Sequence, residues 1–226
     1  DGRHVAFSSV ATNLVPGDTN GAMDIFVRDL ETGATRRVSV DSSGVQGDLS
    51  SIIASISGDG RFVAFSSSAT NLVPGDTNAF RDVFVHDRQA ATTTRVSVSS
   101  TGTQANAVCH LPAISSDGRF VSFDTEATNL VAGDTNGRTD VFVHDRQTGL
   151  TTRVSVNSSG TQANGDSEDS SLSASGQFVA FESTASNLVS MDNGSPSDIF
   201  VHDRQTGTTS RVSDDFLGQA SSGSSI

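Results

Sequence analysis

Lysine, tryptophan and tyrosine are missing from this chain altogether, and cysteine occurs once. All fourteen basic residues are arginine, set against twenty-six acids, for a formal charge of −12. Affinity for phosphate backbones comes from clustered cations, so nucleic acid is excluded as a partner, and the surface attracts cations instead. With only phenylalanine to stack against a sugar ring, a lectin with one site per structural unit is disfavoured. Cys109 has no intramolecular disulfide partner, so pairing does not reveal the redox compartment. No apolar run approaches the roughly 20 residues of a membrane helix. No window of eleven or more residues shows helical spacing with caps, which predicts almost no helix. Asp1 already lies inside a repeat, with no initiator Met or leader before it, and this reads as a processed, excised or truncated chain.

What the chain does have is a period of 58 residues. It links Phe7, Phe65, Phe123 and Phe181, and equally Asn13, Asn71, Asn129 and Asn187. Four units follow, 1–58, 59–116, 117–174 and 175–226, read as a single domain. Each unit carries three strong strand signals, as in "RFVAFSS", "DVFVHD" and "TTRVSVS", and a weaker one, "SIIASIS". "QTG" and "SGDG" supply tight turns between them. Four antiparallel strands per repeat, with "FVAF" apolar on both faces, predict an all-β propeller of face-packed blades.

The run "SGDGRFVAFSS", then "DVFVHDRQTG", then "TTRVSV" resembles the TolB-type propeller repeat, and the resemblance covers all four units. It implies an envelope or secreted setting, that is extracellular, cell-surface or periplasmic. The departure is the inserted "ATNLVPGDTNGxx", which lengthens the unit beyond the about 40 to 45 residues of WD-type blades. The chain begins just before a strong strand, and "SSGSSI" at 221–226 resembles the weak strand that should precede it. The expectation is a four-bladed ring closed by that C-terminal strand. The alternatives are an arc of a larger propeller or two chains sharing an eight-bladed ring, so the oligomeric state is monomer or paired rings.

The inserted loops carry candidate metal ligands. Asp18, Asn20 and Asp24 stand at positions 1, 3 and 7 of a loop, repeated as Asp76, Asn78, Asp82 and as Asp134, Asn136, Asp140, with Asp192 and Asp198 in the last unit. Alternating Asp and Asn oxygens suit calcium, and the loops resemble those of integrin-type propeller repeats without their fifth-position acid. Any affinity would then be modest. An Asx turn free of metal fits the same residues.

His86-Asp87, His144-Asp145 and His202-Asp203 repeat too evenly for a catalytic site and read as scaffold. Asp29, Asp87, Asp145 and Asp203 are expected to pair across the hairpin with Arg37, Arg95, Arg153 and Arg211. A functional site should instead break the repeat. Cys109 and His110 replace Ser51 and Ile52, while Asp166, Glu168 and Asp169 crowd the next weak strand; all five are candidates for binding at the channel or a face. Asp124, Glu126 and Glu182 also replace serines. The reading is a non-catalytic binding or structural scaffold for a protein or polysaccharide partner, with a glycan-processing hydrolase or lyase, or a lectin, as the alternatives.

Overall fold

The computed structural model describes residues 2–190, 192 and 197–214, and among them lie fifteen strands and no helix. Blade one contains β1 (His4–Ser9), β2 (Asp24–Asp29) and β3 (Thr35–Arg37). Blade two contains β4 (Ser51–Ile56), β5 (Phe62–Ser67), β6 (Asp82–Asp87) and β7 (Thr92–Arg95). Blade three contains β8 (Cys109–Ile114), β9 (Phe120–Thr125), β10 (Asp140–Asp145) and β11 (Leu150–Arg153). Blade four contains β12 (Ser167–Leu172), β13 (Phe178–Ser183), β14 (Asp198–Asp203) and β15 (Thr208–Arg211). Each sheet is an antiparallel meander in chain order, which is the plan of a four-bladed β-propeller. Sequence repeat and blade are out of phase by one strand, since the weak strand that ends one repeat opens the next sheet.

The core lies between blades. Ile25, Val27 and Val38 of blade one pack with Val63, Phe65 and Phe84 of blade two. Comparable clusters join blade two to three and blade three to four. This is why β6 and β10, both DVFVHD, are buried along their whole length and not at alternate residues. Within each blade one phenylalanine pair faces across adjacent strands, as Phe65 of β5 and Phe84 of β6 do at 6.0 Å between ring centroids. Neighbouring first strands β4, β8 and β12 lie against one another and so line the axis.

A repeated joint locks successive blades. The ring of Phe62 lies over Gly118 and that of Phe120 over Gly176, while His4 takes the same place over Gly60. Arg146 caps Phe62 from 4.4 Å, and Arg204 caps Phe120 from 4.2 Å. The hydroxyls of Thr93, Thr151 and Thr209 donate to the carbonyls of Val40, Val98 and Val156 in the preceding blade. Contacts of this kind run from blade one to two, two to three and three to four. The segment 221–226, expected to complete the first blade, lies outside the described residues.

Gly118 has φ +72°, and a Cβ there would overlap the Phe62 ring; Gly2 has the same φ and open space around it. Gly118→Ala is therefore expected to lose the left-handed backbone preference, about 1–2 kcal/mol, plus an overpacking cost of about 1–3 kcal/mol. Gly2→Ala should lose the first contribution alone. Denaturant titration of both variants checks this, and equal losses would show that the joint tolerates the added methyl.

Candidate functional site

The inserted loops close around an arginine. In unit two Asp82 accepts hydrogen bonds from Ser97 Oγ at 2.6 Å, Asn78 Nδ2 at 3.1 Å and Arg95 Nη1 at 3.1 Å. The same Arg95 Nη1 lies 3.1 Å from Asp76 Oδ1. Asn78 Oδ1 accepts the backbone N–H of Phe80 in an Asx turn, and its Nδ2 also donates to the Ala105 carbonyl. Arg37 stands in the same way between Asp18 and Asp24, with Asn20 bonded to Asp24, and Arg153 between Asp134 and Asp140, with Asn136 bonded to Asp140. Arg211 lies 3.8 and 3.9 Å from Asp192 and Asp198; Asn193 and Gly194 of that loop lie outside the described residues.

In the first three units these residues do not fit a calcium ion. The carboxylates that would ligate it already face a guanidinium, and the asparagine amides point donors, not oxygens, at the same carboxylates. Among the described residues no group of three or more His, Cys, Asp or Glu is gathered to hold a metal. The overlooked signal was the arginine thirteen residues after each strand-opening aspartate, in "RVS".

The expected cross-hairpin pairs are corrected accordingly. Register sets Asp87 opposite Thr92 and Arg95 opposite Phe84, which sends Arg95 to the other end of the strand. Asp87 is held by Arg61 at 2.9 and 2.6 Å, and this fork keeps its carboxyl down at about 2. Arg3–Asp29 and Arg119–Asp145 repeat the fork. In blade four Gln177 takes the arginine's place opposite Asp203.

The three histidines of these strands serve the joint. His86 Nδ1 lies 2.9 Å from Thr93 Oγ1, and His144 and His202 repeat the contact. Burial holds their pKa below the ordinary value, so they are neutral near pH 7. Cys109 is no channel residue: it is fully buried in the cluster between blades two and three, and burial pushes its thiol up to about 12. A thiol in that setting is an inert hydrophobe.

His110, the next residue, points the other way and lines a pocket of about 540 Å³ beside the axis. The pocket combines Asp124, Glu126 and Glu168 with apolar walls from Ile53, Phe80 and Leu111. Asp124 pairs in register with His110, and Glu168 with Glu182. Asp166 sits apart, accepting the Thr139 N–H at 3.1 Å and pairing with Arg138 at 3.7 Å. Asp169 occupies a bulge on β12 with φ +53°, outside the pocket lining. Ile53 and Leu111 hold the same left-handed conformation on β4 and β8. Such bulges re-aim side chains, here along the axis.

Asp124 is the unusual member. It is only 2 % exposed, and its Oδ1 is buried without a hydrogen-bond partner among the described residues. Burial first, then the negative charges of Glu168 and Asp169, raise its pKa to about 7. Its serine counterpart in blade two, Ser66, instead donates to the Cys109 carbonyl at 3.4 Å. Comparing repeats picks out Asp124 and Glu126; nothing in their neighbouring sequence predicts the pocket itself, or Phe80 within it.

With this geometry in hand, solved structures can be compared. TolB from Acinetobacter baumannii matches with a TM-score of 0.56 and 17% identity over 96% of this chain and 42% of that one. A putative TolB from Agrobacterium tumefaciens matches with 0.58 and 17% over 93% and 61%. The propeller domain of the Trilobed protease from Pyrococcus furiosus, described as having an open velcro topology, matches with 0.50 and 12% over 93% and 54%. The likeness is one of fold. The chain spans about half the length of these structures. No protein-family model and no curated protein matches it.

The raised pKa of Asp124 has a consequence for stability. An unfolded aspartate titrates near 3.9, so the folded state binds the extra proton between about pH 4 and pH 7. The stability it contributes is complete below that window and is lost as pH rises through about 7. Asp124→Asn is expected to raise stability at pH 8 by about 4 kcal/mol and to flatten the fall between pH 4 and 7. Thermal melts across pH check this; a destabilised variant would contradict an unpaired buried charge. The same melts with calcium and with chelator are expected to coincide.

Proposed function

We propose that the chain is a non-catalytic β-propeller scaffold that binds a partner, protein or polysaccharide, at the axial pocket around His110, Asp124 and Glu168. The observation that carries this reading is the break in repetition. Four similar blades present similar surfaces, and the pocket gathers substituted positions: His110 for Ile52, Asp124 for Ser66, Glu126 for Ser68 and Phe80 for Ala22. Concave pockets with apolar walls and a few convergent polar groups are the usual form of a binding site. The candidate nucleophile Cys109 is a buried thiol, and the repeated histidines are engaged in the blade joints. An extracellular, cell-surface or periplasmic setting is supported by the likeness to TolB and stays part of the proposal. Fold by itself does not choose a function.

One observation favours a second reading, a glycan-processing hydrolase. A carboxyl with its pKa near 7 beside a second acid is the arrangement of a general acid and its partner carboxylate, and Glu168 is also raised, mainly by burial. Immobilised protein screened against a glycan array and a displayed peptide library distinguishes the readings. The scaffold reading expects a ligand that binds without turnover and loses at least tenfold in affinity in His110→Ala, with Thr206→Ala in an outer turn as control. Ligands indifferent to His110 would overturn the pocket assignment. Cleavage of a polysaccharide, lost in Asp124→Asn, would replace it with the hydrolase.

A further inference from the structure

We propose that the axial pocket takes an organic cation, a guanidinium or primary ammonium on an apolar stem, seated against the Asp124 carboxylate. This deepens the binding-scaffold reading and rests on it. Three carboxylates, Asp124, Glu126 and Glu168, line one cavity of about 540 Å³. The buried Oδ1 of Asp124 has no donor among the described residues. A buried carboxylate left without a donor is costly, and a ligand N–H with positive charge meets both needs at once. Elsewhere in the molecule the same need is met internally: Arg61 and Arg119 fork onto Asp87 and Asp145, and Arg37, Arg95 and Arg153 stand between paired aspartates.

Charged and titratable groups face Asp124 from β12 and β8. Glu168 and Asp169 of β12 act on it as like charges, and His110 of β8 is its register partner. His110 itself feels Arg81 and Glu126, and burial holds its pKa below the ordinary value. Arg138, on the nearby loop, pairs with Asp166. The walls argue against a bare metal ion. No group of three metal-binding side chains is gathered among the described residues, and Ile53, Leu111 and the exposed ring of Phe80 suit a hydrocarbon stem with a cation against an aromatic face. An anion would meet the three carboxylates of the lining as like charge.

Calorimetric titration with n-butylguanidinium and n-butylammonium, and with uncharged n-butylurea, tests this. The cations are expected to bind at pH 8 and about tenfold more weakly at pH 6, as Asp124 takes up its proton. Butylurea should not bind. Asp124→Asn should abolish both the binding and its pH dependence, with melts verifying that the variant is folded; Glu168→Gln should weaken binding severalfold. Tighter binding of N-acetyl-arginine amide than of butylguanidinium assigns the cation to a protein side chain, and equal binding assigns it to a free amine or guanidine. No cation binding at pH 8, binding unchanged in Asp124→Asn, or equal binding of butylurea overturns the proposal. If cations fail while a screened ligand still depends on His110, the scaffold reading survives and only the cation is lost.

Discussion

Everything in this molecule depends on blades packing face to face. A four-stranded sheet of short strands holds too little apolar surface to stand alone, and the three clusters that bury it all lie between neighbouring blades. That requirement explains the sequence at each level. It makes DVFVHD apolar on both faces, it fixes glycine where a ring from the preceding blade must lie, and it recruits a histidine and a threonine to carry a hydrogen bond across the gap. Stability is then a sum of nearest-neighbour joints, as in other repeat proteins.

A sequence rich in repeats reveals what is repeated. The 58-residue period, the strands and the blade plan were legible because Phe, Val and Gly recur at fixed spacing and each local choice agrees with the same architecture. The scaffold role of His86, His144 and His202 was legible for the same reason. Cross-strand partners were not. Asp87 and Arg95 flank a turn and look like a pair, yet a register with Asp87 opposite Thr92 hands Asp87 to Arg61 and Arg95 to Asp82. Such choices depend on three residues of offset that neither composition nor periodicity records.

The same shift explains why the loops resemble metal sites. Asp, Asn and Asp at alternate positions provide oxygens for any cation, and spacing does not say whether the cation is an ion or a side chain. Here it is arginine, tethered to the adjacent strand and present in every unit. A tethered guanidinium needs no supply from solvent, and its donors are planar and fixed where a carboxylate and a backbone carbonyl converge, as Arg95 reaches both Asp82 and the Gly75 carbonyl.

Against that background the axial pocket stands out by what it leaves unmet. The chain holds Asp87 and Asp145 with arginine forks and Asp203 with a glutamine, yet Asp124 is buried with an oxygen that no donor reaches among the described residues. Serine served at this position in blades one and two, so the acid is not required by the fold. Folding alone would favour Ser66-like chemistry, because an unpaired buried carboxylate destabilises the native state above pH 7. A residue that weakens the fold, placed in a pocket where three acids meet apolar walls, is what a binding site looks like when its ligand is the missing partner.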